Sequence, residues 1–221
     1  MRRRSYQTRR TGRGGRLLRG VRRFAFMAIT TAFVSCDPID PPEPGANLVG
    51  TKASEWVGSV RWIGDASPSL ADLRGRVVLV RWWTDRCALC VRSIPVLNVL
   101  DEEFRDAGLS IVGFYHPKPF PRRVGDAEVM RAALPLNMTF PVGVDAEWKL
   151  LQRWWLRPPL PRFTSVSFLI DHRGIIRWVH TGGEYHPSAD PKHAACDASY
   201  RELVHLIPEL LRERRAVGSA R

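Results

Sequence analysis

Trp82-Trp83-Thr84-Asp85-Arg86-Cys87-Ala88-Leu89-Cys90-Val91-Arg92-Ser93-Ile94-Pro95 is the stretch that decides how this chain is read. An apolar run, Val77-Val78-Leu79-Val80, leads into it, and apolar residues recur after it at Leu97, Leu100 and Phe104. That order predicts a buried strand over Val77–Trp83, then a Cys-x-x-Cys turn. A helix from Cys87 to Ala107 follows, closed by Gly108. Such a turn puts one sulfur at a helix N-terminus, where free N–H groups and the helix dipole favour an anion. The thiolate, not the thiol, attacks disulfides. Cys87 is therefore expected as the attacking sulfur and Cys90 as its partner in a redox pair.

The chain has 221 residues, enough for one domain with a real core. Its formal charge of +12 is misleading about partners. Residues 1–35 carry ten arginines and no acid, whereas 36–221 carry 24 basic and 22 acidic residues. A nucleic-acid partner would need a basic face on the folded part, so none is expected. The arginine-rich start runs into an apolar segment, Phe24 to Val34, and then Ser35-Cys36. A basic region, a short apolar region and a small residue before a cut describe an export signal over 1–35. The segment is short for a bilayer span, although an uncleaved anchor is the other reading. Phe33-Val34-Ser35-Cys36 resembles a bacterial lipobox, which implies lipidation at Cys36. Asp37 after it resembles an inner-membrane retention signal. Residues 36–57, rich in proline at the start, read as a tether. Export leaves the cysteines where disulfides persist and where a dithiol needs an electron supply.

Further along, strands are expected over Ser59–Ile63, Ser110–Tyr115, Phe140–Val144 and Val166–Ile170, with a return strand Ile175–Val179. Helices are expected over Asp126–Leu134, with Asp126 as N-cap, over Ala146–Trp155 and over Tyr200–Glu213. Asp171-His172-Arg173-Gly174 supplies a hairpin turn. Alternating strands and helices closed by a hairpin predict an α/β fold with a central mixed sheet flanked by helices.

With these residues in order, the chain resembles the TlpA/ResA-like thiol-disulfide oxidoreductases of the thioredoxin-fold superfamily. Leu73-Arg74-Gly75-Arg76-Val77-Val78-Leu79-Val80-Arg81-Trp82-Trp83 is similar to their entry strand. Pro95, five residues after Cys90, matches their helix proline, and Phe168-Leu169-Ile170-Asp171-x-x-Gly174 matches their hairpin. The resemblance implies a thioredoxin-like domain over 58–216. It also implies exchange with thiol- or disulfide-bearing envelope proteins, recharging by a membrane electron donor, and no cofactor. The resulting location is periplasmic or otherwise extracytoplasmic, at the inner membrane through Cys36.

Four departures stand out. Arg86 replaces the tryptophan usual before the first cysteine, and its guanidinium is expected to favour the Cys87 thiolate against the pull of Asp85. Ala88-Leu89 lies between the sulfurs without the family's proline. Ser93 stands where a glutamate is common. Ser165 falls at the position of the family's cis-proline. A cis bond without proline costs about 3 kcal/mol, so a trans bond or a locally altered loop is expected there. Thr164, Ser165 and Val166 then form the expected substrate-docking loop.

Two other functions fit the same residues. Thr84-x-x-Cys87 resembles the T-x-x-C of peroxiredoxins, which would make Cys87 a peroxide-oxidised thiol. A non-catalytic binding protein could also keep the fold. A zinc site on the Cys pair needs two more ligands; His193-x-x-Cys196 could supply them, but no metal is assigned. Cys196 reads as a spectator in a polar loop, His116 as a solvated loop histidine, and His180 and His186 as loop residues.

Overall fold

The computed structural model describes residues 44–56, 58, 60–158 and 160–218. The leader 1–35, Cys36 and the start of the tether lie outside the described residues. The described residues hold six strands: β1 Arg61–Ile63, β2 Val77–Trp83, β3 Leu109–Tyr115, β4 Val142–Val144, β5 Ser167–Ile170 and β6 Ile176–His180. Four α-helices accompany them: α1 Ala88–Phe104, α2 Asp126–Ala133, α3 Lys149–Trp154 and α4 Ala194–Gly218. They form one mixed sheet in the order β1-β4-β3-β2-β5-β6. β2 pairs in parallel with β3, and β3 with β4, as βαβ crossovers require. β5 and β6 run antiparallel, joined at Asp171–Gly174, where the Asp171 carboxylate accepts the N–H groups of Arg173 and Ile175. The expected α/β class and mixed sheet are what the chain adopts.

Every residue of β2 is buried, because helices cover both faces of the sheet. Val77, Leu79 and Trp83 meet Ile94, Leu97 and Leu100 of α1 and Leu203, Ile207 and Leu210 of α4. Val78, Val80 and Trp82 meet Leu150, Leu151 and Trp154 of α3, with Trp56 and Phe168. The paired tryptophans thus fill opposite cores, as the two-residue period of a strand dictates. The turn after α1 closes at Gly108, whose φ of 112° favours glycine. An added Cβ there would lie 2.6 Å from the Arg214 guanidinium. Arg214 donates to the carbonyls of Gly75 and Ala107, so the close approach fastens α4 to the turns before β2 and β3.

Several boundaries differ from the sequence expectation. α1 stops at Phe104, short of Ala107, and the first strand is Arg61–Ile63. Gly125, not Asp126, is the N-cap of α2; Asp126 is the first helical residue and pairs with Arg61. α4 begins at Ala194, six residues before Tyr200. Asp190 caps a preceding single turn, Pro191–His193, by accepting the Lys192 N–H, and the chain passes straight into the helix. The apolar stripe starts only at Leu203, so hydrophobic period does not reveal those first turns. Cys196 therefore sits in the first turn of α4 and not in a loop.

β4 ends at Val144 and α3 starts only at Lys149, because Asp145 organises the junction. Its buried carboxylate accepts the N–H groups of Leu150 at 3.1 Å and Leu151 at 2.7 Å, and the indole N–H of Trp82 at 3.3 Å. Burial pushes the Asp145 pKa up; the backbone N–H groups hold it down. Asp145→Ala leaves two helix donors without acceptors. The expected loss of stability is about 2–6 kcal/mol, at about 1–3 kcal/mol per orphaned group. Urea unfolding measures it; an unchanged midpoint contradicts this role for Asp145.

Candidate active site

β2 delivers the chain to the site, and α1 starts there. Cys87 is the N-cap of α1 with extended backbone (φ −136°, ψ 103°), and its carbonyl accepts the N–H of Val91 at 3.0 Å. This leaves Cys87 partly exposed at the helix N-terminus, while Cys90, one turn in, has 0% exposure. Neither is in a disulfide, and each shifts the titration of the other. The Cys90 hydrogen bond is the largest influence on Cys87 and lowers its pKa to about 5; burial opposes it. The backbone N–H of Cys90, the Lys118 ammonium and the Ser165 hydroxyl add to the lowering. Cys90 moves the other way: its hydrogen bond to Cys87 and its burial hold it protonated. One sulfur is thus an exposed thiolate and the other a buried proton donor.

Ser165 joins the two. Its hydroxyl lies 2.7 Å from Cys90 Sγ and 3.9 Å from Cys87 Sγ. The Thr164–Ser165 peptide is trans, as expected, since it is not among the described cis bonds. The Ser165 side chain is 1% exposed, so it works from beneath the sulfurs. The rest of the expected docking loop divides. Thr164 is half-buried, with its hydroxyl 2.8 Å from His116 Nε2. Val166 is fully buried in the α3-side core, where its side chain cannot meet a substrate. Its carbonyl accepts the Trp82 N–H, because the β2–β5 pairing turns that residue inward.

The expected tuning residues sit differently from the forecast. Arg86 is exposed and faces Asp85, 4.0 Å from its carboxylate. The cation that acts most on Cys87 is Lys118, from the loop after β3. Asp85 accepts from the Tyr115 hydroxyl at 3.1 Å, and buried Thr84 donates to the same oxygen at 3.3 Å. Ser93 does no acid-base work here: its hydroxyl donates to the Leu89 carbonyl and accepts the Tyr185 N–H.

Two residues escape a sequence reading. Arg81 lies in the apolar strand with no exposure. It donates to the carbonyls of Ser165 and Gly183 and to the Ser167 hydroxyl, and stacks 5.2 Å above the Tyr185 ring. Among the described residues no carboxylate pairs with it. Its charge lowers the pKa of Cys90, against the pull of burial. A lone arginine inside a seven-residue apolar strand was the signal that could have found it. His116 is the second. It is fully buried rather than solvated, edge-on to Trp148, because its N–H continues the ladder to the Trp83 carbonyl. Burial lowers its pKa to about 3, helped by Lys118, so its ring is neutral.

The AhpC/TSA family profile matches residues 49–179, more than half of the chain. The chain belongs to the AhpC/TSA family. It is 28% identical over 117 residues to the thiol-disulfide oxidoreductase ResA of Halalkalibacterium halodurans, a match covering 53% of this chain and 60% of ResA. Protein DipZ of Mycobacterium bovis is 28% identical over 141 residues, 60% of this chain but only 19% of DipZ, so the chain spans about a fifth of that relative. Among solved structures, a thiol-disulfide isomerase of Corynebacterium glutamicum superimposes with a TM-score of 0.54 at 19% identity, covering 73% of this chain and 96% of the isomerase. A thioredoxin-family thiol:disulfide interchange protein of Chlorobium tepidum gives 0.53 at 19% identity, with 73% and 97% covered. These structures share the thioredoxin-like fold. The family match includes the cysteine turn, Arg81 and Ser165, but stops before α4.

Two pH responses follow. Cys87 titrates below the ordinary thiol range, so its thiolate persists on the alkaline side and protonates as the pH falls through about 5. Its alkylation rate in the reduced protein should stay level from pH 8 to pH 6 and drop near that value. In Ser165→Ala the midpoint should rise, because a donor to the thiolate is gone. A midpoint at the value of a free cysteine in the parent protein contradicts the geometry. His116 is neutral when folded and takes up a proton more readily when unfolded, so its contribution is present above its ordinary value of 6.5 and lost as pH falls toward 3. The slope is at most about 1.4 kcal/mol per pH unit. The drop in urea midpoint between pH 7 and pH 5 should be smaller in His116→Gln than in the parent.

Proposed function

We propose that this chain is an exported thiol-disulfide oxidoreductase that exchanges disulfides with envelope proteins through Cys87 and Cys90. The observation that carries the reading is the division of labour between the sulfurs: Cys87 reachable and ionised, Cys90 buried and protonated. ResA supports it by its name as well as its sequence.

In the reducing direction, Cys87 Sγ⁻ attacks one sulfur of a substrate disulfide and expels the other as a thiolate. Cys90 then loses its proton and attacks Cys87 Sγ. The mixed disulfide breaks, the second substrate sulfur leaves, and the protein keeps the 87–90 disulfide. The proton given up by Cys90 passes to a departing substrate sulfur, and two electrons have moved to the substrate. Arg81 eases the second step by favouring the Cys90 thiolate, and Ser165 follows charge from one sulfur to the other. Oxidation of a substrate dithiol is the same path reversed. A stabilised Cys87 thiolate favours the reduced pair and so raises its potential.

The leader and Cys36 support a lipid tether to the inner membrane, the 36–57 segment a spacer, and 58–216 the working domain. No helix among the described residues is long and apolar enough to cross a membrane. In this reading a membrane electron donor recharges the pair. The peroxidase alternative is weakened by Thr84, whose hydroxyl is engaged with Asp85.

The test is a trapping experiment. Cys90→Ser should accumulate mixed disulfides with a disulfide-bonded peptide, and Cys87→Ser should lose exchange by about 10³-fold or more, since the nucleophile is removed. Insulin reduction by dithiothreitol with catalytic protein gives the rate. Full activity in Cys87→Ser sinks the proposal; fast sulfenate formation with peroxide and no exchange would assign the peroxidase instead.

A further inference from the structure

We propose that Glu184, His186, His193 and Cys196 form a zinc site apart from the sulfur pair. One ligand atom from each lies within 4.8 Å of all the others. His193 Nδ1 is 3.7 Å from Glu184 Oε1, Cys196 Sγ is 3.8 Å from His193 Nδ1, and Cys196 Sγ is 3.9 Å from Glu184 Oε1. The first exceeds a hydrogen bond and the sulfur contacts are at its outer limit. The groups converge on a common point and hold one another only through the two long sulfur hydrogen bonds. A tetrahedral zinc with ordinary Zn–N, Zn–O and Zn–S bonds needs edges of about 3.4–3.6 Å, a few tenths shorter than the three Glu184, His193 and Cys196 separations; His186 lies within 4.8 Å and closes in on binding.

The surroundings of the ligands are also those of a metal site. Arg92 occupies Glu184 Oε2, leaving Oε1 toward the cluster. His186 Nδ1 lies 3.1 Å from the Pro187 carbonyl, which fixes that N–H outward and leaves Nε2 as the lone-pair nitrogen. Outer hydrogen bonds of this kind orient zinc ligands and set their tautomers. The chemistry of the set suits zinc: one carboxylate, one thiolate and two neutral imidazoles cancel its two charges. Binding takes Cys196 as the thiolate and so releases its proton.

Four protein ligands close the coordination shell, which marks a structural site rather than a catalytic one. Its place gives it a role. His193 and Cys196 flank the start of α4, while Glu184 and His186 lie on the loop after β6. On the same loop, Gly183 and Tyr185 hold Arg81 beneath Cys90, and Arg92 is on α1 just past Cys90. A bound zinc would therefore lock the loop that supports the buried arginine.

The test uses the full chain carrying Cys36→Ser, Cys87→Ser and Cys90→Ser, so that Cys196 is the only thiol. After zinc loading and dialysis, about one zinc per chain should remain. Cobalt in its place should give a thiolate-to-metal charge-transfer band and the visible spectrum of a tetrahedral ion. Adding Cys196→Ser should abolish the band, His186→Ala should weaken zinc binding, and Arg92→Gln should weaken it about 10–100-fold. Far-UV circular dichroism confirms that each variant is folded, and His186→Ala serves if Cys196→Ser is not. Substoichiometric zinc in the folded parent overturns the site, as does cobalt bound without a thiolate band, or zinc affinity unchanged in the ligand variants.

Discussion

The site depends on a buried positive charge placed under a buried sulfur. Arg81 sits in the central strand with no solvent and no carboxylate to neutralise it among the described residues. Such a charge is costly unless its donors are satisfied. Two carbonyls and one hydroxyl take its terminal nitrogens and an aromatic face covers it, although Nε stays buried without a hydrogen-bond partner, and all four groups come from the segments that wall the sulfurs. Meeting the needs of the guanidinium therefore fixes the position of Ser165 as well.

The hydroxyl of Ser165 offers the sulfurs a hydrogen-bond partner that a proline could not. It contacts Cys90 closely and Cys87 loosely, which suits a reaction in which negative charge passes between the two. The sulfurs are separated by burial more than by chemistry. Cys87 caps the helix and meets N–H donors and Lys118; Cys90 is sealed within the α1-side core. Low dielectric strengthens the hydrogen bond between them and penalises charge on the inner one. His116 is a buried neutral ring beside them and adds no charge of its own.

The same packing brings remote segments onto α1. Arg92 reaches Glu184, and Ser93 accepts the N–H of Tyr185. A stretch that reads in sequence as glycines, histidines and loop is a buried brace across the helix that carries the cysteines. The first turns of α4, extended back to Ala194 by the Asp190 cap, put Cys196 and His193 beside it.

The sequence by itself determined the strand, the cysteine turn, the helix and the closing hairpin. Each rests on local period and local turn chemistry, which a chain carries wherever it folds. It also marked Cys87 and Cys90, because a Cys-x-x-Cys at a helix start is a local motif, and Ser165, by its distance from Phe168. Only the tertiary structure decided which charges act on them. Arg86 is adjacent in sequence yet turned to Asp85, while Lys118 and Arg81 act from other elements. Burial of His116 and Val166, and the meeting of Glu184 and His186 with His193 and Cys196, depend on how β3, β5, β6 and α4 pack. Charge and burial act through space, and distances through space are set by packing rather than by position along the chain.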